Sequence, residues 1–264
     1  MTRVAQRFAE LKQHSRLGLV AYITAGDPSL DRTVDFVLAL EDAGTDVVEL
    51  GVPFSDPLAD GVVIQRASER ALHAGATLAG VLKTVERIRQ KSELPLVLFG
   101  YLNPFMRYGF EKFATDARQA GADGVLITDL SVEEAEPFLH EMRRTELDTI
   151  FLAAPTSTAD RLRRIGEVSR GFVYAVSRMG VTGTRDTLSS QVLPLVERLR
   201  AVTALPLAAG FGISRREHLD ALQGKVDAAV VGSALVRVIE EHGAGPEGPR
   251  QLAQAVRELL HGHR

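Results

Sequence analysis

The chain has 264 residues, a formal net charge of -3 and no cysteine. Its 45% apolar and 25% charged residues are ordinary for a globular protein that buries a sizeable core. Interspersed charges argue against a nucleic-acid or anionic-membrane partner, and the lack of cysteine excludes disulfides, thiol nucleophiles and thiolate metal sites. Residues 1–10 indicate an amphipathic helix rather than a signal peptide, and no apolar run could span a bilayer, so we expect a cytoplasmic enzyme.

The chain opens with a short helix in which Val4, Phe8 and Leu11 recur at helical spacing. Apolar, mostly non-alternating segments then predict strands at 17–24, 46–50, 94–100, 124–128, 148–153, 171–176, 205–209 and 226–231. Helices are predicted at 31–43, 63–73, 78–90, 110–120, 132–145 and 158–168, then up to 202, up to 222, after 233, and at 250–260. Residues 101–108 are predicted to form a loop, and Pro137 should kink its helix or make it begin late.

Strands with continuous apolar runs are buried on both faces and are therefore expected to be parallel. Eight strand–helix units in a chain of this length are typical of a (β/α)8 barrel, the TIM barrel. An open doubly wound sheet is the alternative, and the regular units without a linker disfavour it. The sequence therefore predicts an α/β fold in which residues 1–264 form a single TIM barrel domain with an extra N-terminal helix.

An acidic stretch at residues 46–61 carries the strongest functional signal. Glu49 stands where the second strand should end, and the loop after it, stiffened by two prolines, carries Asp56 and Asp60. TIM barrel active sites lie at the carboxyl ends of the strands, and two carboxylates in unlike surroundings are suited to acid/base chemistry. The alternative is a set of helix-capping or solvated carboxylates. We interpret Glu49 and Asp60 as functional and Asp56 as a surface residue.

The residues at the other strand ends limit the possible reaction types further. They add two carboxylates, Asp27 and Asp129, but no lysine for a Schiff base. Every histidine falls in a helix or in the C-terminal tail, so we expect no metal site. The remaining chemistry is acid/base catalysis by carboxylates without a metal or cofactor, with Tyr22 and Tyr174 as possible helpers.

Glycines after the last strands predict a phosphate site. Gly210-Phe-Gly212 follows the seventh strand, and Gly232-Ser233 follows the eighth and opens a helix. Backbone N–H groups there can surround a phosphate, and Gly183 could add another donor. Residues 177–190 form a long, glycine-punctuated, hydroxyl-rich loop, which is either a mobile lid or a simple solvated loop.

At these residues the sequence resembles the tryptophan synthase alpha subunits, along essentially the whole chain. The matching motifs are Thr24-Ala-Gly-Asp-Pro28, Glu49-Leu-Gly-Val-Pro-Phe-Ser-Asp-Pro-Leu-Ala-Asp-Gly61, Tyr101-Leu-Asn-Pro104, Asp129-Leu130, Val176-Ser-Arg-Met-Gly-Val-Thr-Gly183 and Gly210-Phe-Gly-Ile213. The long acidic motif is highly specific, whereas the glycine pairs alone would not be. The resemblance implies a TIM barrel that cleaves indole-3-glycerol phosphate to indole and glyceraldehyde 3-phosphate in tryptophan biosynthesis. It also implies a partner beta subunit that holds pyridoxal phosphate, in an alpha2beta2 heterotetramer, and no cofactor in this chain.

The resemblance also implies roles for single residues. Glu49 would protonate indole C3 and take the proton of the glycerol hydroxyl, which requires a pKa near neutrality, and Asp60 would stay ionised and accept the indole N–H. The implied indole pocket consists of Tyr22, Phe99, Leu126 and Tyr174, with Thr182 as the lid residue that contacts the Asp60 loop. The implied phosphate cradle consists of Gly183, Phe211, Gly212, Gly232 and Ser233. The implied docking site for the beta subunit includes Asp56, Asn103, Pro104 and the lid.

Two positions depart from the family pattern. Val62 and Ser131 stand where family members commonly have proline, and neither change removes a reacting group.

Three alternative functions are a free-standing lyase that releases indole, a non-catalytic barrel that activates a beta subunit, and another phosphate-binding barrel such as a sugar-phosphate isomerase. The two retained carboxylates, Glu49 and Asp60, argue against the second alternative. The lack of strand-end lysines and histidines argues against many members of the third.

Overall fold

The computed structural model describes residues 1–176, 188–210 and 212–261. Its strands form a closed, parallel barrel in chain order, and the last strand pairs with the first. The strands are β1 Gly18–Thr24, β2 Val47–Gly51, β3 Leu96–Gly100, β4 Gly124–Ile127, β5 Asp148–Ala153, β6 Val173–Val176, β7 Leu207–Gly210 and β8 Ala228–Val231. The prediction of a (β/α)8 TIM barrel with an extra N-terminal helix is therefore confirmed.

Helices surround the barrel and connect its strands. They are α1 Arg3–Gln13, α2 Leu30–Asp42, α3 Val62–His73, α4 Leu78–Arg89, α5 Leu102–Tyr108, α6 Phe110–Ala120, α7 Glu136–Thr145, α8 Ala159–Val168, α9 Leu188–Arg200, α10 Arg216–Leu222, α11 Ser233–His242 and α12 Gly248–His261. In the described parts of the chain, no helix combines the length and apolar character that crossing a bilayer requires.

The strands separate two apolar layers, which explains their continuous hydrophobicity. Val20, Val47 and Val97 belong to the layer inside the barrel, because side chains alternate between the two faces of a strand. Their neighbours Leu19 and Val48 belong to the layer between the sheet and the helices. A strand buried on both faces needs apolar residues at nearly every position, as parallel sheets do.

Helix α1 closes the amino-terminal end of the barrel. Its buried face packs into the inner layer, and the rings of Phe8 and Phe172 have centroids 5.4 Å apart. Thr2 caps the helix, since its hydroxyl accepts a hydrogen bond from the N–H of Ala5 at 3.2 Å. Asp46 ties this end together by accepting the N–H of Leu19 at 2.8 Å. In a TIM barrel, functional side chains are expected at the other end.

The predicted loop at residues 101–108 was wrong, because α5 occupies Leu102–Tyr108. Pro104 lies in the first turn of the helix, where its missing N–H costs no intrahelical hydrogen bond. Phe105 is fully buried against Phe113, with ring centroids 4.8 Å apart, and anchors the turn. Gly109 then ends α5 with a φ of 87°, in a region that favours glycine.

Two other helix starts also differ from the sequence pattern. Helix α7 begins at Glu136, with Pro137 in its first turn, so the expectation of a late start is confirmed. Helix α12 begins at Gly248, two residues before the predicted start at 250.

Candidate active site

Glu49 occupies the inner wall of the barrel near the end of β2. Its register neighbours are Tyr22 on β1 and Val97 on β3. The residue is only 1% exposed, and its Oε1 atom has no hydrogen-bond partner among the described residues. Burial without a charged or polar partner raises the pKa of Glu49 to about 8. At neutral pH this carboxyl group can therefore both give and take a proton.

Asp60 reaches the same region from the loop between β2 and α3. Its N–H donates to the carbonyl of Pro57 at 3.0 Å, and the amide of Gln65 donates to the Asp60 carbonyl at 2.8 Å. Burial raises the pKa of Asp60 to about 6, and a hydrogen bond from Tyr101 opposes the rise. The group is therefore less acidic than an ordinary aspartate, but it is mostly ionised at neutral pH. The expectation of an ionised Asp60 is compatible with this value.

The charges of Glu49 and Asp60 act on the same two tyrosines of the inner wall. Burial raises the pKa values of Tyr22 and Tyr174, and the negative charges of Glu49 and Asp60 raise both further. Each phenol therefore lies within electrostatic reach of both acids. Tyr22 also packs edge-on against Phe99, with ring centroids 5.0 Å apart.

The remaining sequence-predicted pocket residues share this wall. Leu126 is fully buried in the inner layer, against which Phe99 and Tyr174 also pack. Two glycines make room for the phenols, since a Cβ atom on Gly51 or on Gly210 would meet a tyrosine hydroxyl at 2.3 or 2.2 Å. The structure thus brings Tyr22, Phe99, Leu126 and Tyr174 together on the apolar inner wall of the barrel.

The predicted phosphate cradle is described only in part. Gly212 has a φ of 67°, and a Cβ atom added there would meet no atom within 4 Å. Gly232 precedes Ser233, the first residue of α11. The N–H groups of Leu235 and Val236 donate to the Gly232 carbonyl at 2.9 and 3.0 Å, which leaves the N–H groups of Ser233 and Ala234 without an acceptor in the helix. These described members lie in loops after the adjacent strands β7 and β8 and offer amides to an anion. Thr182, Gly183 and Phe211, together with lid residues 177–187, lie outside the described residues.

The two other strand-end carboxylates have structural partners. Asp27 is buried and accepts two hydrogen bonds from the guanidinium of Arg70, at 2.9 and 2.7 Å. Asp129 accepts the N–H of Leu102 at 2.7 Å, at the start of α5. Asp27 is held by an arginine and Asp129 is exposed and caps α5, so Glu49 and Asp60 are the stronger candidates for proton transfer.

Tyr101 is a site residue that the sequence reasoning did not single out. Its ring packs on Phe54 with centroids 5.3 Å apart, and its hydroxyl accepts the N–H of Ala59 at 2.9 Å while it hydrogen-bonds the carboxylate of Asp60. The sequence held one signal for it, since a tyrosine follows directly after the strand that neighbours β2. Tyr101 fixes both the backbone and the side chain of the acidic loop.

The predicted docking residues lie at the rim of the same end. Asp56 is exposed on the acidic loop, and the exposed Asn103 and half-buried Pro104 lie in the first turn of α5. The large exposed apolar side chains among the described residues include three near these positions: Leu58 at 92%, Val62 at 64% and Met106 at 57%. We call Asp56, Leu58, Val62, Asn103, Pro104 and Met106 the rim surface. Apolar exposure of this extent is typical of a protein interaction site.

Known proteins resemble the chain over nearly its full length. The family model described as Tryptophan synthase alpha chain matches residues 8–262. The tryptophan synthase alpha chain of Solibacter usitatus (strain Ellin6076) is 55% identical over 262 residues, covering 99% of this chain and 98% of that protein. That of Geobacter sulfurreducens is 47% identical over 259 residues, covering 98% of each.

Solved structures agree with the sequence comparisons. Tryptophan synthase subunit alpha from Legionella pneumophila superposes with a TM-score of 0.91 at 36% identity, covering 99% of this chain and 98% of that one. A chain from the tryptophan synthase a2b2 complex of Pyrococcus furiosus gives a TM-score of 0.87 at 40% identity, covering 92% and 97%. A family match from residue 8 to residue 262, together with these identities, shows that the chain belongs to the tryptophan synthase alpha chain family.

Proposed function

We propose that this chain cleaves indole-3-glycerol phosphate to indole and glyceraldehyde 3-phosphate as a tryptophan synthase alpha subunit. One observation carries the proposal. Glu49 is buried with a pKa of about 8, its Oε1 has no hydrogen-bond partner among the described residues, and its charge and that of Asp60 act on the same two tyrosines. Membership of the alpha chain family supports the same reaction.

The substrate spans the site from the indole pocket to the glycine loops. The indole ring fits between the apolar side chains of Phe99 and Leu126, with the two phenols at its edges. Its phosphate lies at the amides of Gly212, Gly232 and Ser233, where the amino terminus of α11 favours negative charge. These contacts bring the ring nitrogen toward Asp60 and ring carbon C3 toward Glu49.

Glu49 moves the protons of the reaction. In its acid form it protonates indole C3, which leaves a positive charge on the ring nitrogen. Asp60 accepts the N–H hydrogen bond and stabilises that charge. The Glu49 carboxylate then takes the proton of the hydroxyl on the adjacent side-chain carbon. The bond between that carbon and C3 breaks, its electron pair returns to the ring, and the hydroxyl carbon becomes the aldehyde of glyceraldehyde 3-phosphate. Glu49 ends protonated, as it began.

The protonated indole ring acts as the electron sink, so this chain needs neither a lysine nor a cofactor for the cleavage. The two acids are suited to this division of roles, because Glu49 needs a raised pKa to give and take a proton, whereas Asp60 stays ionised to stabilise the charge on the ring nitrogen. Pyridoxal phosphate belongs, in this proposal, to the partner beta subunit.

The proposed partner is a tryptophan synthase beta subunit, in an alpha2beta2 heterotetramer. The rim surface supports it, because it exposes apolar side chains beside the loop that carries Asp60. A chain of similar fold comes from an a2b2 complex in Pyrococcus furiosus. Docking there would place the released indole close to the partner.

We also propose that residues 1–264 act as one domain. The packing of α1 into the barrel and of α12 against α2 and α11 supports this.

The proposed location is cytoplasmic. It agrees with a charged phosphate ester as substrate, since such a molecule crosses membranes poorly. Cell fractionation followed by detection of the chain tests the location.

The decisive experiment measures indole release from indole-3-glycerol phosphate by the purified chain, with and without a beta subunit. Glu49→Gln and Asp60→Asn should each lower turnover at least about a thousandfold, because each removes a proton-transfer or charge-stabilising group. Asp31→Asn is the matched control, since Asp31 is an exposed carboxylate that forms an ion pair with Arg87. It should keep wild-type turnover, and all three variants should keep the wild-type circular dichroism spectrum.

The same experiment separates the alternatives. Indole release that a beta subunit does not change would indicate a free-standing lyase. No cleavage, with stimulation of the beta subunit, would indicate a non-catalytic activator. Near-wild-type turnover by Glu49→Gln would overturn the assigned roles.

A further inference from the structure

Four charged side chains form a continuous hydrogen-bonded network that joins the loop after β1 to helices α3 and α11. Arg70 on α3 donates two hydrogen bonds to the buried Asp27, from Nε and Nη2, at 2.9 and 2.7 Å. Its remaining nitrogen, Nη1, donates to Glu240 on α11 at 3.0 Å. Arg66, one turn earlier on α3, donates to the other oxygen of Glu240 at 2.9 Å. A single guanidinium thus joins the loop after β1 to two helices.

The two helices lead directly to opposite ends of the proposed substrate. Helix α3 begins two residues after Asp60, and the N–H groups of Ile64 and Gln65 in its first turn both donate to the carbonyl of Gly61 at 3.0 Å. Helix α11 begins at Ser233, within the phosphate cradle. The relative position of α3 and α11 therefore sets the distance from the Asp60 carboxylate to the phosphate-binding amides.

The packing between these helices is a small apolar contact. Ala67 of α3, Val236 of α11 and Tyr22 of β1 form a small buried cluster of their own, separate from the main core. The bidentate arginine–carboxylate pair adds a contact with one preferred geometry. Asp27 is only 2% exposed, so its charge makes this geometry costly to abandon.

We propose that Arg70 is a positioning residue that holds Asp60 and the phosphate-binding amides at the spacing which one substrate molecule requires. The inference rests on the proposed function. Arg70 touches no reacting atom, and it acts through the helices that carry both ends of the site. Lysine cannot replace it, because an ammonium group cannot bind both oxygens of Asp27 in the same plane and also reach Glu240.

Turnover of a substrate whose two ends bind at once depends on this distance, whereas the binding of separate fragments does not. Holding both ends correctly gives a large rate advantage that a displacement of about 1 Å can reduce about a hundredfold. Indole alone and glycerol 3-phosphate alone each need only one end of the site. A change at Arg70 should therefore harm turnover of the joined substrate far more than it harms fragment binding.

The test compares Arg70→Lys with wild type in two measurements. Turnover of indole-3-glycerol phosphate should fall about 10- to 100-fold in kcat. Dissociation constants for indole and for glycerol 3-phosphate, measured separately by calorimetry, should stay within about twofold. Arg87→Lys is the matched control, because Arg87 pairs with the exposed Asp31. It should leave all these quantities unchanged.

Glu240→Gln gives a second, milder variant that keeps a hydrogen-bonding side chain on a partly exposed helix face. It should lower kcat with the fragment constants again unchanged, whether or not Arg70→Lys folds. The inference fails if either folded variant keeps wild-type kcat, or if fragment affinities fall as much as turnover does. Wild-type chain that releases no indole would instead refute the proposed function.

Discussion

The carboxyl group of Glu49 pairs a functional advantage with a cost in stability. Its burial among apolar side chains holds the proton at neutral pH, where an exposed glutamate would have lost it. The same burial penalises the ionised form in the folded state alone, since the unfolded chain hydrates it. The stability of the protein should therefore depend on pH through this one residue, in a direction opposite to that of a salt-bridged acid.

Glu49→Gln should stabilise the protein, and more so as pH rises. The folded pKa of about 8 lies above the usual value of 4.5, so wild type keeps the full contribution below pH 4.5 and loses it as pH rises through 8. Glutamine does not titrate. The advantage of the variant should therefore grow by about 3 kcal/mol between about pH 5.5 and 8.5. Urea unfolding at both pH values measures it.

Glu69→Gln is the control for that measurement, because Glu69 is exposed on α3 and stays in water in either state. Its difference from wild type should be the same at both pH values. A pH-independent difference for Glu49→Gln as well would contradict the buried, unpartnered environment.

Tyr101→Phe should shift the acidic limb of the pH profile of kcat/KM to higher pH. The phenol hydrogen bond lowers the pKa of Asp60, which burial has raised to about 6. Without it the ionised form of Asp60 is less favoured, so kcat/KM for indole-3-glycerol phosphate should begin to fall at a pH about one unit higher. The ring packing on Phe54 is kept in the variant, because phenylalanine retains the ring.

Tyr108→Phe is the matched control for Tyr101→Phe. Its hydroxyl donates to Asp116 at 2.6 Å, away from both catalytic acids, and its loss should leave the pH profile unchanged. An unshifted acidic limb for Tyr101→Phe would separate Asp60 from that limb.

At the scale of elements, α1 and α5 serve opposite ends of the barrel. Helix α1 covers the amino-terminal end with its buried face, so it contributes to stability. Helix α5 stands at the carboxyl end, where its buried Phe105 anchors it and its exposed side chains join the rim surface. This division follows the usual separation of stability and activity between the two ends of a TIM barrel.

Phe8→Ala should destabilise the fold by about 3–5 kcal/mol, because it leaves a cavity beneath the inner layer. Phe8 is buried and packs on Phe172, while the proposed catalytic side chains belong to the carboxyl end of the barrel. Well below the unfolding temperature, kcat for indole release should therefore stay near that of wild type. Lys12→Ala, at an exposed position of the same helix, should change the urea midpoint little. Equal midpoints for the two variants would mean that α1 is dispensable.

At the scale of the whole molecule, the barrel could be predicted because its dominant signal is repeated. Each unit shows a continuous apolar run followed by a segment with helical spacing, and burial of each strand on both faces produces that run. Helix α5 could not be predicted in this way. It is short, contains Pro104, and is stabilised by a tertiary contact between Phe105 and Phe113 that no local pattern reveals.

The candidate site was predictable to a similar degree. Glu49 and Asp60 could be found because they interrupt an apolar strand and a proline-stiffened loop, and in the structure the charges of both act on Tyr22 and Tyr174. Tyr101 and the pairing of Asp27 with Arg70 could not, since each depends on which loops and helices become neighbours once the barrel closes. Residues 182, 183 and 211 stay predictions.

The rim surface is expected to bind a beta subunit. Met106→Glu should weaken binding of a beta subunit at least tenfold, because it places a charge in the middle of an apolar contact that association would dehydrate. Calorimetric titration measures the affinity, and indole release without partner should stay unchanged, since the side chain points to solvent. Leu72→Glu makes the same chemical change at another exposed apolar position, on α3 beyond the rim surface, and should bind normally. Equal loss in both variants would indicate a general effect of added charge, and wild-type affinity of Met106→Glu would place the beta subunit on another face of the barrel.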